Sequence, residues 1–121
     1  MSNRFCVSIT HSHQDPDKVT VGFVVANAAI GSDKETMVFL STDGVWAAVK
    51  GETEKINIGE PFAPLKELVD KFVKAGGRIL VCTPCAKKRQ IGPEQLIEGA
   101  SFAGGAALVE FLSDGGASVS Y

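Results

Sequence analysis

Apolar and polar positions along the chain switch between two periods, and the switches mark its elements. Over residues 4–10, Phe5, Val7 and Ile9 alternate with Cys6 and Ser8, the period of a strand. Asp15-Pro16 then opens a helix with a carboxylate cap followed by a proline at the first helical position. That helix should run to about Ile30 and stop at Gly31. Val21, Phe23, Val24 and Val25 favour strand locally, but length and the cap decide for helix. Apolar residues on nearly all its sides imply burial on two faces. Residues 35–40 are nearly continuous in apolar side chains, as in a parallel strand covered on both faces. Ser41-Thr42-Asp43-Gly44 is a turn, 45–49 starts a short helix ended by Gly51, and 52–61 reads as a polar surface loop.

Leu65, Leu68, Val69, Phe72 and Val73 fall on one helical stripe, closed by Gly76-Gly77. A strand over 78–82 leads into a two-cysteine segment, and Pro93 opens a short helix around 94–97. The last helix is expected over 102–113 and a terminal strand over 117–121. Strands alternating with helices imply parallel β-α-β units with right-handed crossovers. The expected fold class is α/β, a three-layer α/β/α sandwich with a mostly parallel sheet of about five strands, formed by one domain over 1–121. In such sheets the functional crevice lies beyond the carboxyl ends of the strands. His11, His13, Asp43, Cys82 and Cys85 all stand at predicted strand ends, and so on one edge.

Composition narrows the function classes. Hydrophobic residues make up 45% and charged residues 21% of the 121, a globular balance that argues against disorder. A net charge of −2 gives no basic face for nucleic acid, and Lys87-Lys88-Arg89 is too short to form one. The apolar stretch 5–9 is too brief for a secretory signal, and the run 19–30 is too short to span a bilayer. A cytoplasmic protein without nucleic-acid or membrane partners is expected. Three cysteines, an odd number, point to reactive or buried thiols rather than a disulfide framework.

Chemistry therefore concentrates on Cys82 and Cys85. A thiol at a strand's end, facing a helix start and three cations, has several reasons to ionise near neutral pH. The competing reading of Cys82 is a buried strand-end cysteine. Cys85 could resolve a sulfenate or disulfide on Cys82, accept sulfur from it, or pack the turn. Cys6, in mid-strand, belongs to the core. A zinc site would need His11 and His13 as its second ligand pair, an odd arrangement. A thioredoxin-like redox pair is a second reading, although the motif falls late in the chain and lacks the surrounding order of that fold. A nucleophilic thiol carrying sulfur as a persulfide is the third. The residues alone leave the last two open. His11 could accept a proton from the thiol or be an exposed loop histidine. Asp43-Gly44 serves the turn, and Lys87, Lys88 and Arg89 form a solvated face that would also lower the thiol pKa. Gly104-Gly105 fits no phosphate-binding pattern, so close packing explains it better. No cofactor and no metal are expected.

Cys82 followed by Lys87-Lys88-Arg89-Gln90-Ile91 resembles the cysteine, basic pair, glycine and isoleucine segment of the DsrE/DsrF-like proteins. The order of the rest agrees: an early strand ending near His11, the Asp15-Pro16 helix, and Val38-Phe39-Leu40-Ser41-Thr42-Asp43-Gly44-Val45. Pro64-Leu65, Ala75-Gly76-Gly77 and Leu96-Ile97-Glu98-Gly99-Ala100 follow in turn. The resemblance implies a parallel α/β/α fold assembling into homotrimers, homohexamers or related heterohexamers. It also implies that Cys82 stands where the sulfur-relay members receive sulfane sulfur as a persulfide, in tRNA thiolation or dissimilatory sulfur oxidation. Gln90 in place of the usual glycine, and the extra thiol of Cys85, are departures. The expected function is a persulfide carrier or sulfurtransferase-type protein acting through Cys82, with Cys85 and His11 assisting. Its partners would be sulfur donor and acceptor proteins or small persulfides. Rival readings are a thiol-disulfide or peroxide-handling protein and an oligomeric small-molecule or metal-binding module without catalysis.

Overall fold

The structure, a computed structural model, describes residues 2–121. Five strands carry the chain: β1 (Arg4–Ile9), β2 (Glu35–Leu40), β3 (Arg78–Cys82), β4 (Ala100–Ala103) and β5 (Ala117–Ser120). Between them lie the helices α1 (Pro16–Gly31), α2 (Leu65–Lys74), α3 (Thr83–Lys88) and α4 (Gly105–Leu112). The sheet runs β4-β3-β2-β1-β5 with every neighbouring pair parallel. The expected start of α1 is realised: Asp15 caps the helix by accepting from the Lys18 backbone N–H, and Pro16 occupies the first turn.

Register divides the sheet into two faces. Val7 pairs with Val38 and Val38 with Ile79, so these side chains share a face with Ile9, Leu40 and Val81. That face is buried under Val19, Phe23 and Ala26 of α1 and Leu65, Val69 and Phe72 of α2. Phe23 and Phe72 meet edge to face at 6.0 Å, and the Asn27 side-chain amide donates to the Leu68 carbonyl, which locks the two helices together. The opposite face presents Cys6, Met37, Phe39 and Leu80, and α4 covers them through Phe111, with Ala107, Leu108 and Leu112 packed alongside. Arg4 and Arg78 lie over the Phe111 ring at 5.0 and 5.9 Å. The result is the expected three-layer sandwich, thick on one side and thin on the other.

The structure differs from the periodicity at several places. The predicted helix over 102–113 is instead the end of β4 followed by α4, because Phe102 and Ala103 pair with Val81 and Cys82 of β3. The predicted turn and short helix after β2 merge into one 3-10 segment, Thr42–Ala48. The loop over 52–61 is not wholly superficial: Thr53 and Ile56 are buried, and the Thr53 hydroxyl donates to the Ala47 carbonyl at 2.7 Å. On α1, burial centres on Val19, Thr20, Gly22, Phe23, Ala26 and Ala29, while Val21, Val24 and Val25 stay partly exposed. Among the described residues, no helix is long and apolar enough to cross a membrane.

Candidate functional site

The site begins with how sharply the chain turns after β2. The Ser41 backbone N–H donates to the Ile9 carbonyl, and the Thr42 hydroxyl donates to the Thr10 carbonyl at 2.9 Å. Thr42 takes a left-handed conformation with φ 49°. Gly44 presses so closely on β1 that any Cβ there would collide with the Ile9 carbonyl oxygen, so the turn demands glycine. Because β2 lies between β1 and β3, this turn brings Thr42 and Asp43 beside the end of β3.

There the chain enters α3 with Cys82 as the capping residue, Pro84 in the first turn and Cys85 as the third helical residue. Both thiols are partly exposed, whereas Cys6 is fully buried, as its mid-strand position implied. At the far end of α3, Arg89 folds back along the helix. Its Nε and Nη2 donate to Asp43 Oδ1 at 3.1 and 3.0 Å, and its Nη1 donates to the Cys85 carbonyl at 3.1 Å. The other Asp43 oxygen accepts from Gln14 Nε2, and Gln14 Oε1 accepts from the Ser12 backbone N–H. The loops following β1, β2 and β3 are thereby tied together around one guanidinium.

The two thiols are unequal. Burial opposes ionisation of Cys85, but the Cys82 thiol as hydrogen-bond donor, the Thr42 backbone N–H, and the Arg89 and Lys88 charges outweigh it. Together they hold Cys85 below the ordinary thiol range. Burial, and then the hydrogen bond it gives to Cys85, push Cys82 up. The negative charge of the pair therefore falls on Cys85, not on Cys82 as the strand-end position had suggested. The hydrogen bond between the thiols comes first in setting that order, then the Thr42 amide from another loop and the Arg89 and Lys88 charges, and α3 is too short for its dipole to dominate.

Other candidates are placed elsewhere. The His11 ring bonds to the Thr10 hydroxyl at 3.0 Å, and in the sheet β2 stands between β1 and β3. His13 meets Trp46 edge on at 6.2 Å and lines a groove of about 390 Å3 with Pro16, Ile56 and Ile58, a cavity whose lining includes neither thiol. The two pairs that a zinc site would have needed do not form one cluster. Among the described residues, no three His, Cys, Asp or Glu side chains converge to hold a metal ion. Asp43 and Arg89, read from sequence as a turn residue and a solvated cation, are instead the anchors of the site. Gln14 and Thr42 went unnoticed. The signal for Asp43 was its place on the same sheet edge as the cysteines.

Comparison with known proteins agrees with this architecture. The model of the DsrE/DsrF-like family matches residues 3–121. The uncharacterized protein MJ0760 of Methanocaldococcus jannaschii is 31% identical over 80% of this chain, which spans only 35% of that relative. MJ0989 of the same organism is 28% identical, with 92% of this chain and 93% of that protein covered. Among solved structures, the ychN protein of E. coli superposes with a TM-score of 0.82 over the whole of both chains at 16% identity. MTH1491 of Methanobacterium thermoautotrophicum, of unknown function, gives 0.72 over 98% of each at 13%. At such identities these two structures speak for the fold alone.

Proposed function

We propose that this chain, which belongs to the DsrE/DsrF-like family, takes up sulfane sulfur as a persulfide on Cys82 and passes it to an acceptor thiol. The observation that carries the reading is the pair of partly exposed thiols, three residues apart at the end of β3 and beside a guanidinium fixed by Asp43 and the Cys85 carbonyl. By its resemblance to the family's relay members, Cys82 would stand where they hold sulfur. A donor R–S–SH approaching the site would meet a thiol whose proton can shift along the hydrogen bond to Cys85. Cys85, rather than His11, is then the proton acceptor. The Cys82 thiolate attacks the outer sulfur, the donor S–S bond breaks, and R–S⁻ leaves to be protonated. The oxidation states balance, because sulfur is transferred with no external oxidant.

Both sulfurs being partly open to solvent supports access by a small persulfide or by a donor protein. Such thiol chemistry suits the reducing cytoplasm. Assembly of several copies, a trimer or hexamer, is supported by α4, where Val109 is 68% exposed and Leu108 and Leu112 are only partly covered. The test is intact-mass measurement after anaerobic incubation with glutathione persulfide. A gain of one sulfur atom, removable by reductant, is expected in Cys85→Ser, formed more slowly without the proton acceptor, and not in Cys82→Ser. No adduct in Cys85→Ser would refute the reading. A thiol-disulfide exchange protein would instead bridge the pair with oxidant and take up no sulfur in that variant.

A further inference from the structure

We infer that the intact pair discharges its sulfur as sulfide, with Cys85 attacking the inner sulfur of a Cys82 persulfide and closing a Cys82–Cys85 disulfide. The inference rests on the persulfide reading and adds the fate of the cargo when no acceptor thiol intervenes. Its first support is placement. Cys82 caps α3 and Cys85 is the third residue of the same turn, so their side chains are neighbours. Residues three apart on a helical turn have Cβ atoms about 5–6 Å apart, and a disulfide draws them to about 3.5–4.5 Å. Closing the bridge therefore asks the cap and the first turn to approach by about 1–2 Å. The two thiols also interact, each shifting the other's ionisation.

The second support is which sulfur can be displaced. A persulfide on Cys82 offers Cys85 an outer and an inner sulfur. The inner one is Sγ of Cys82, on the same turn as Cys85, and the outer one extends beyond it. Attack on the outer sulfur must expel a thiolate at Cys82, where burial disfavours the anion. Attack on the inner sulfur expels hydrosulfide, the anion of a stronger acid than an alkyl thiol, and it leaves into water. Leaving ability follows acidity, so the inner route is favoured.

The balance is simple. Cys82–S–SH and the Cys85 thiolate give a Cys82–S–S–Cys85 bridge and HS⁻. The persulfide S–S bond breaks, its electron pair departs with the sulfane sulfur, and a new S–S bond forms. That sulfur is reduced to sulfide and the two cysteines are oxidised together. Another turnover requires two electrons and two protons from a dithiol reductant, to which the partly exposed pair is open.

The test adds glutathione persulfide to the reduced chain without oxygen, then measures released sulfide and intact mass. The expected result is about one sulfide per chain and a mass lower by two hydrogens, with a dithiol restoring both mass and a second round. Cys85→Ser should keep its added sulfur and release none before reductant. If the wild type keeps the sulfur adduct with no bridge while Cys85→Ser also carries it, the inference fails and the persulfide reading survives. Release of sulfide by Cys85→Ser at the wild-type rate would overturn the inference as well. If Cys85→Ser gains no sulfur and the wild type releases no sulfide, both fall.

Discussion

Arg89 holds Asp43 through two nitrogens on a single carboxylate oxygen, Nε at 3.1 Å and Nη2 at 3.0 Å, while its third nitrogen donates to the Cys85 carbonyl. The guanidinium is 19% exposed and the carboxylate 45%, so the pair lies at the lip of the site rather than in its floor. Its contribution to stability should be small, within about 1 kcal/mol. Its position next to the thiols gives it a different weight in reactivity.

Arg89→Gln should therefore slow alkylation of Cys85 at neutral pH and move its pH profile to higher pH. Arg89→Lys should retain part of the charge effect while losing the fork to Asp43. Asp43→Asn should loosen the guanidinium and give an intermediate profile. Iodoacetamide labelling rates followed across pH by peptide mass would measure all three. An unchanged profile in Arg89→Gln would contradict the electrostatic account.

Labelling should also rank the cysteines in the wild type. Cys85 should react first at neutral pH, Cys82 more slowly, and Cys6 last of all, since it is fully buried. Faster labelling of Cys82 than of Cys85 would reverse the charge order described for the pair.

Cys6 carries a pH effect of its own. Burial pushes its thiol from 9.0 up to about 11, against weaker lowering by Ser118 and the Phe39 backbone. Between those two values the unfolded chain has lost the proton that the folded chain still holds, so stability falls as pH rises. The effect is fully absent below the unfolded pKa and amounts to about 3 kcal/mol once the folded value is passed. Urea titrations across that window should show a flatter decline for Cys6→Ala than for the wild type.

Gly44→Ala places a methyl group against the Ile9 carbonyl oxygen, which belongs to a paired strand and has little room to move. The expected cost is about 1–3 kcal/mol, typical of overpacking. Because the same turn sets Thr42 and Asp43, Cys85 labelling should slow as well. Chemical denaturation and labelling kinetics on one preparation would test both consequences.

Local signals made much of this fold legible. Asp15-Pro16 announces α1, the stripe from Leu65 to Val73 announces α2, and the alternation in β1 is plain in the sequence. β4 was hidden because Ala100-Ser101-Phe102-Ala103 has neither period nor β-branched residues, and only pairing with β3 makes it a strand. The cysteine motif stood out, yet the residues that set its charge did not. Asp43 and Arg89 lie 46 positions apart, and the Thr42 contribution comes from a backbone amide, which no side-chain identity encodes.

The uneven cover of the sheet has a consequence for how the molecule breathes. One eight-residue helix, pinned through Phe111, shields the Cys6 face, whereas two interlocked helices protect the other. Amide protons of α4 should exchange with deuterium well before those of α1 and α2. Each such excursion would bare the sulfur of Cys6 to oxidants without unravelling the rest, making the thin flank the place where oxidative damage enters the core.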